Sequence, residues 1–126
     1  MIIGLGVDLV RIPRVQAVLQ RYGSRFKERV FTAAEIAYCE SQRQPANNYA
    51  LRFAAKEAMS KALGVGLRQN GIRWREVEVV PTASGKPELR VTGRAAALCT
   101  ALGVTGIFVS LTDEGDYGVA VVVLEK

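Results

Sequence analysis

At 126 residues, with 49% hydrophobic and 23% charged side chains, the chain is sized for a single domain spanning residues 1–126 with a buried core, which excludes a disordered protein. It has no histidine, and its two cysteines, Cys39 and Cys99, lie far apart outside any CxxC, which excludes a zinc centre and Ser-His or Cys-His catalysis. The net charge of +5 is uneven: residues 1–68 hold eleven Lys/Arg against five Asp/Glu, and residues 69–126 six against seven, so the first half calls for an anionic partner.

Ile2 to Val10 reads as a short apolar strand whose Gly4 and Gly6 leave room for a close neighbour. Asp8 near its end is either a turn or cap residue or a ligand. Pro13 suits the first turn of a helix running to Tyr22 and stopping at Gly23, with an apolar seam of Val15, Val18, Leu19 and Tyr22. Arg14, Arg21 and Arg25 follow at i, i+7 and i+11, with Arg11 and Lys27 nearby and no acid between Asp8 and Glu28. An ordinary solvated face usually mixes the two signs; this one invites an acidic partner.

Thr32-Ala33-Ala34-Glu35 is a capping box opening a helix through about Gln42, which makes Glu35 structural, with service to an adjacent site as its alternative. Pro45 to Asn48 reads as a break between helices. Arg52 to Leu63 is rich in helix formers and ends at Gly64, placed for a left-handed cap. Gly64 to Gly71 reads as a loop or lid. Val77 and Val79 alternate with Glu76 and Glu78, and a turn at Ser84-Gly85 returns the chain through Leu89 and Val91, a hairpin. Thr92 to Leu102 is an Ala-rich helix closed by Gly103, and Ile107 to Thr112 with Tyr117 to Leu124 form a last hairpin around an acidic turn. The fold class is α+β, a largely antiparallel sheet packed against helices.

The longest apolar run, Val119 to Leu124, is far short of a membrane span, and Met1 to Gly4 lacks the marks of a signal peptide. A cytoplasmic protein without membrane insertion, carrying two reduced, buried thiols, is expected.

Phe53, Glu57 and Lys61 recur at i, i+4 and i+8 on the central helix, with Ser60 and Gly64 close to the same stripe. The seam there is mostly alanine yet carries an acid and a base. Asp8 and Glu57 are candidate carboxylates for one magnesium ion, which keeps waters and takes other oxygens from phosphates, and Lys61 would set an ammonium beside them. Taken alone, Glu57 and Lys61 also fit a surface ion pair.

The residues Gly6-Val7-Asp8, Arg52 to Ala58 with Lys61 to Gly64, Gly85-Lys86-Pro87, and the closing strands together resemble the holo-(acyl-carrier-protein) synthases, the short bacterial type of 4′-phosphopantetheinyl transferase. The resemblance covers nearly the whole chain. It implies transfer of phosphopantetheine from coenzyme A to a serine of apo-acyl-carrier protein for lipid synthesis, releasing adenosine 3′,5′-bisphosphate. Asp8 and Glu57 are then the metal ligands, with Lys61 stabilising charge. Phe53, Ser60, Gly64, Lys86 and Pro87 would line the coenzyme A pocket, and Arg52, Arg43 and Lys56 would be candidates for its 3′-phosphate. Arg14, Arg21 and Arg25 match the surface that docks the acidic carrier protein, and the family implies a homotrimer with sites between subunits. Many members carry histidine where this chain has Asp113, so that imidazole's role does not transfer. The general base stays open between a metal-held water, Glu57 and Glu35.

A small basic binding module for RNA or an acidic protein is the competing reading. Nine aromatics are few for RNA, and Tyr22 and Phe26, the two in the arginine-rich stretch, offer no evident stacking platform.

Overall fold

The computed structural model describes residues 1–67 and 71–126. Strand β1 (Ile2–Arg11) leads into four helices: α1 (Ile12–Tyr22), α2 (Ser24–Val30), α3 (Ala33–Glu40) and α4 (Pro45–Leu63). A 3-10 turn at Trp74–Glu76 precedes β2 (Val77–Pro81) and β3 (Pro87–Val91), followed by α5 (Gly93–Leu102), β4 (Gly106–Glu114) and β5 (Tyr117–Glu125). The α+β expectation holds, and every pairing is antiparallel. The strands divide into a three-stranded sheet, β1-β5-β4, and the separate hairpin β2-β3.

Helix α4 lies across one face of the larger sheet, and small residues set the distance. A Cβ on Gly6 would sit 1.8 Å from the carbonyl oxygen of Ala58, and one on Gly4 would sit 2.4 Å from that of Ala62. Helix and strand therefore meet backbone to backbone, as the alanine seam and the strand glycines require. Ala54, Ala55, Ala58 and Met59 are fully buried, in the same core as Ala120, Val122 and Leu124 of β5. Strand alternation sends the even positions of β1 toward α4 and the odd ones outward. The outward set is apolar: Leu5 and Leu9 are 65% and 64% exposed, with Val7 between them and Phe108 of β4 on the same sheet.

Local signals explain most boundaries. Thr32 Oγ1 accepts from the Glu35 amide at 3.2 Å while Glu35 Oε1 accepts from the Thr32 amide at 2.9 Å, the expected capping box. Gly64 caps α4 with φ +78°, as its position foretold. Three expectations need correcting. Pro45 does not break a helix but starts α4, since a residue without an amide hydrogen costs nothing at the first helical position. Helix α2 was not anticipated; it follows directly on Gly23, which ends α1 and turns the chain with φ +53°. Tyr22 is exposed rather than part of the apolar seam, and Ile12 and Val15 carry α1's burial. Of the anticipated loop or lid between Gly64 and Gly71, residues 68–70 lie outside the described residues.

Candidate active site

Asp8 stands on the α4-facing side of β1, two residues beyond the close contact at Gly6. It is a strand residue paired with Ala120, not a turn or cap. Lys61, in the last turn of α4, donates to Asp8 Oδ1 at 3.1 Å and to the Val7 carbonyl at 3.0 Å. Asp8 and Glu57 line one cavity of about 260 Å³ together with Phe53, Phe26, Val18 and Arg14. Two carboxylates that are 49 residues apart in sequence thus share one hollow, with an ammonium resting on one of them.

A second cavity, of about 730 Å³, shares Val18, Phe26 and Phe53 with the first and adds Arg25, Arg29 and Trp74. Its aromatic wall is ordered: Phe53 stacks on Trp74 with centroids 4.8 Å apart, and Phe26 meets Phe53 at 6.2 Å and Phe31 edge-on at 5.9 Å. Phe26 and Trp74 were not anticipated as site residues. Their signal, an aromatic beside a basic run and another opening a strand, is visible only once α2 and the 3-10 turn are folded against α4. Arg14, Arg21 and Arg25 are all exposed, and Arg14 and Arg25 border the two cavities, so the basic face and the carboxylate pair are contiguous.

Other expected residues lie elsewhere. Ser60 is buried and donates its hydroxyl to the Glu57 carbonyl at 2.7 Å, a local back-bond that turns it from the stripe into the core. Gly64 is exposed at the cap. Lys86 and Pro87 line a different cavity of about 470 Å³, beside Gly106 and Phe108. Arg43 is exposed in the α3–α4 connection, and Asp113 accepts from Asn47 Nδ2 at 3.1 Å. Arg52 is only 5% exposed, its guanidinium carbon 4.2 Å from the Tyr38 ring centroid and its Nε without a hydrogen-bond partner among the described residues.

Lys56 is the clearest correction. It is fully buried, one position from Glu57 and so about 100° around the helix, where it meets α3 and β2 instead of solvent. Its ammonium donates to Glu35 Oε1 at 2.8 Å, to the Trp74 carbonyl at 3.1 Å and to the Val77 carbonyl. Burial holds its pKa below the ordinary lysine value, against the opposing pull of the Glu35 carboxylate. Glu35 is 1% exposed and also accepts from the Val79 amide through Oε2 at 2.9 Å, so it is committed to the core and withdrawn from the role of general base.

The donor set fits a hard cation. The cavity offers two carboxylates, and its lining holds neither imidazole nor thiolate. Among the described residues, no group of three or more Asp, Glu, His or Cys is placed to hold a metal. Two carboxylates leave most of an octahedral shell for water and phosphate oxygens, the coordination that magnesium favours.

The model of the 4′-phosphopantetheinyl transferase superfamily matches residues 4–122. The holo-[acyl-carrier-protein] synthase of Geobacter sulfurreducens is 48% identical over 126 residues, 100% of this chain and 99% of that one. Among solved structures, the holo-[acyl-carrier-protein] synthase of Neisseria meningitidis superposes with a TM-score of 0.92 at 34% identity, covering 100% of both chains. The Helicobacter pylori enzyme in complex with coenzyme A gives 0.84 at 25% identity, covering 96% of this chain and 99% of that one. The chain belongs to the 4′-phosphopantetheinyl transferase superfamily, among its short holo-acyl-carrier-protein synthases.

Proposed function

We propose that this chain moves the 4′-phosphopantetheine group of coenzyme A onto a serine of apo-acyl-carrier protein, in the cytoplasm, in the service of fatty acid synthesis. The observation that carries the reading is the convergence of Asp8, Glu57 and Lys61 beside an arginine-lined face, in a chain of this family. The serine oxygen bonds to the phosphorus that bears pantetheine. The pyrophosphate P–O bond breaks, and its electron pair leaves on adenosine 3′,5′-bisphosphate while the hydroxyl proton passes to a base.

Magnesium, held by Asp8 and Glu57, would supply positive charge against the pyrophosphate oxygens. Lys61 needs no rearrangement to add its own: Asp8 and the Val7 carbonyl already hold its ammonium in place. Preorganised charge of this kind is the main lever a protein has on phosphoryl transfer. Arg14, Arg21 and Arg25 steer the acidic carrier protein so that its serine arrives beside the cavity.

We also propose a homotrimer whose pockets are completed between subunits. Two observations support it. Lys86 and Pro87, assigned to coenzyme A, border a cavity separate from that of Asp8 and Glu57 in one chain. The outer face of the β1-β5-β4 sheet exposes Leu5, Val7, Leu9 and Phe108, an apolar patch of the kind that marks an interface. Arg52, with a buried Nε lacking a partner among the described residues, and exposed Arg43 remain the assignments for the 3′-phosphate.

Calorimetric titration with coenzyme A tests the site. Binding is expected with magnesium, lost with EDTA, and abolished in folded Asp8→Asn and Glu57→Gln. Unchanged binding in both variants would remove the carboxylates from the site, and no binding by the parent protein would favour a binding module without catalysis.

A further inference from the structure

Lys56 and Glu35 form an ion pair with no exposed surface on either side chain. The ammonium has three donors, and all are used: on α3 through Glu35, on the 3-10 turn through the Trp74 carbonyl, and on β2 through the Val77 carbonyl. Glu35 is equally committed, to Lys56, to the Thr32 amide and to the Val79 amide. One buried pair thus joins α3, α4, the turn at Trp74 and the first strand of the hairpin that carries Lys86 and Pro87.

A buried ion pair is a poor device for stability, because desolvating two charges offsets most of their attraction and an apolar pair often serves as well. Its fixed directions make it a better device for register. The element it fixes most directly is the residue whose ring builds the site wall. The Trp74 carbonyl is held by Lys56, the Trp74 ring stacks on Phe53, and Phe53 lines the cavity of Asp8 and Glu57. Lys56 and Glu57 are consecutive in α4, so one short stretch of helix anchors the wall on one side and presents the carboxylate on the other.

We infer that Lys56 and Glu35 are positioning residues, which set the Trp74–Phe53 wall against Glu57 and thereby the seating of coenzyme A. The effect on coenzyme A rests on the proposed function; the effect on the wall does not. Trp74 is the only tryptophan in the chain, so its fluorescence reports the wall without any assay of activity.

The test compares the parent, Lys56→Met/Glu35→Met, which removes both charges together, and Glu35→Gln, which keeps the shape and an acceptor. In the double variant, folded by circular dichroism and thermal melting, Trp74 emission shifts to longer wavelength and acrylamide quenches it more readily. The KM for coenzyme A rises about tenfold, within the reach of a small misplacement remote from the chemistry, while the KM for carrier protein is unchanged. Glu35→Gln moves the same readouts less. Unchanged Trp74 emission and quenching in both folded variants would overturn the inference, as would a shifted Trp74 signal with an unchanged coenzyme A KM. Failure of both variants to fold would also overturn it, by making the pair a determinant of the fold itself. A parent without transferase activity would sink the proposed function, and the Trp74 signal would still decide the positioning claim.

Discussion

Lys61 is restrained by two oxygens of β1, although more than half of its side chain is exposed. That restraint is what makes its charge useful at a phosphate. In Lys61→Met we expect kcat to fall about 10²–10³-fold with a much smaller change in the KM for coenzyme A, the pattern of charge stabilisation made in the transition state. Steady-state kinetics with carrier protein in excess would check it, and a near-normal kcat would remove the ammonium from the chemistry. The cysteines make a second prediction. Burial pushes the Cys39 thiol up to about 12 and raises Cys99 as well, so both stay protonated at pH 8. Neither should be alkylated in the folded protein, and both should react once it is denatured, as mass spectrometry would record. The sequence displayed Glu57 and Lys61 at a helical spacing, and Asp8 as an acid near a strand end, but not that Asp8 and Glu57 meet. It did not display Lys56 as buried, because the partner that accounts for its burial, Glu35, lies 21 residues away.

At the scale of elements, the contact between β1 and α4 decides whether the carboxylates meet. Gly6→Ala would drive a methyl group into the Ala58 carbonyl and force strand and helix apart. We expect a loss of about 1–3 kcal/mol of stability from overpacking, measured by urea unfolding, with weaker magnesium-dependent binding of coenzyme A. An unperturbed variant would show that the close approach is not needed. The basic face of α1 and α2 makes a separate prediction. Arg21→Glu with Arg25→Glu should raise the KM for carrier protein about tenfold and flatten its salt dependence, and an unaltered KM would move docking elsewhere. Arg14 is left out of that pair because it also borders the carboxylate cavity. Elements with local signals were legible: the Thr32–Glu35 box, the Gly64 cap and the β2–β3 hairpin. Helix α2 was not, since it has only seven residues and begins where Gly23 announces an end. Pro45 misled for a similar reason, because proline signals a boundary without saying on which side the helix lies.

For the whole molecule, the exposed outer sheet face is the feature a single chain leaves unexplained. Leu5→Lys with Leu9→Lys changes residues already open to solvent in one chain, so the fold should survive. Sedimentation equilibrium should find a trimer for the parent and smaller species for the variant, whereas a parent that sediments as a monomer would leave the patch without a subunit partner. The family was legible because its motifs are contiguous runs, as in Arg52 to Gly64. The division into two sheets and the separation of Lys86 from Asp8 were not, since both depend on pairings between distant segments.

Intact-mass spectrometry of an apo-acyl-carrier protein, incubated with this protein, coenzyme A and magnesium, puts the central claim to the most direct test. The carrier should gain the mass of one phosphopantetheine group, and should gain nothing with EDTA or with Glu57→Gln. An unchanged carrier mass with folded parent protein, across several apo-carriers, would contradict the transferase reading, and an undiminished gain with EDTA or Glu57→Gln would contradict the metal site proposed for it.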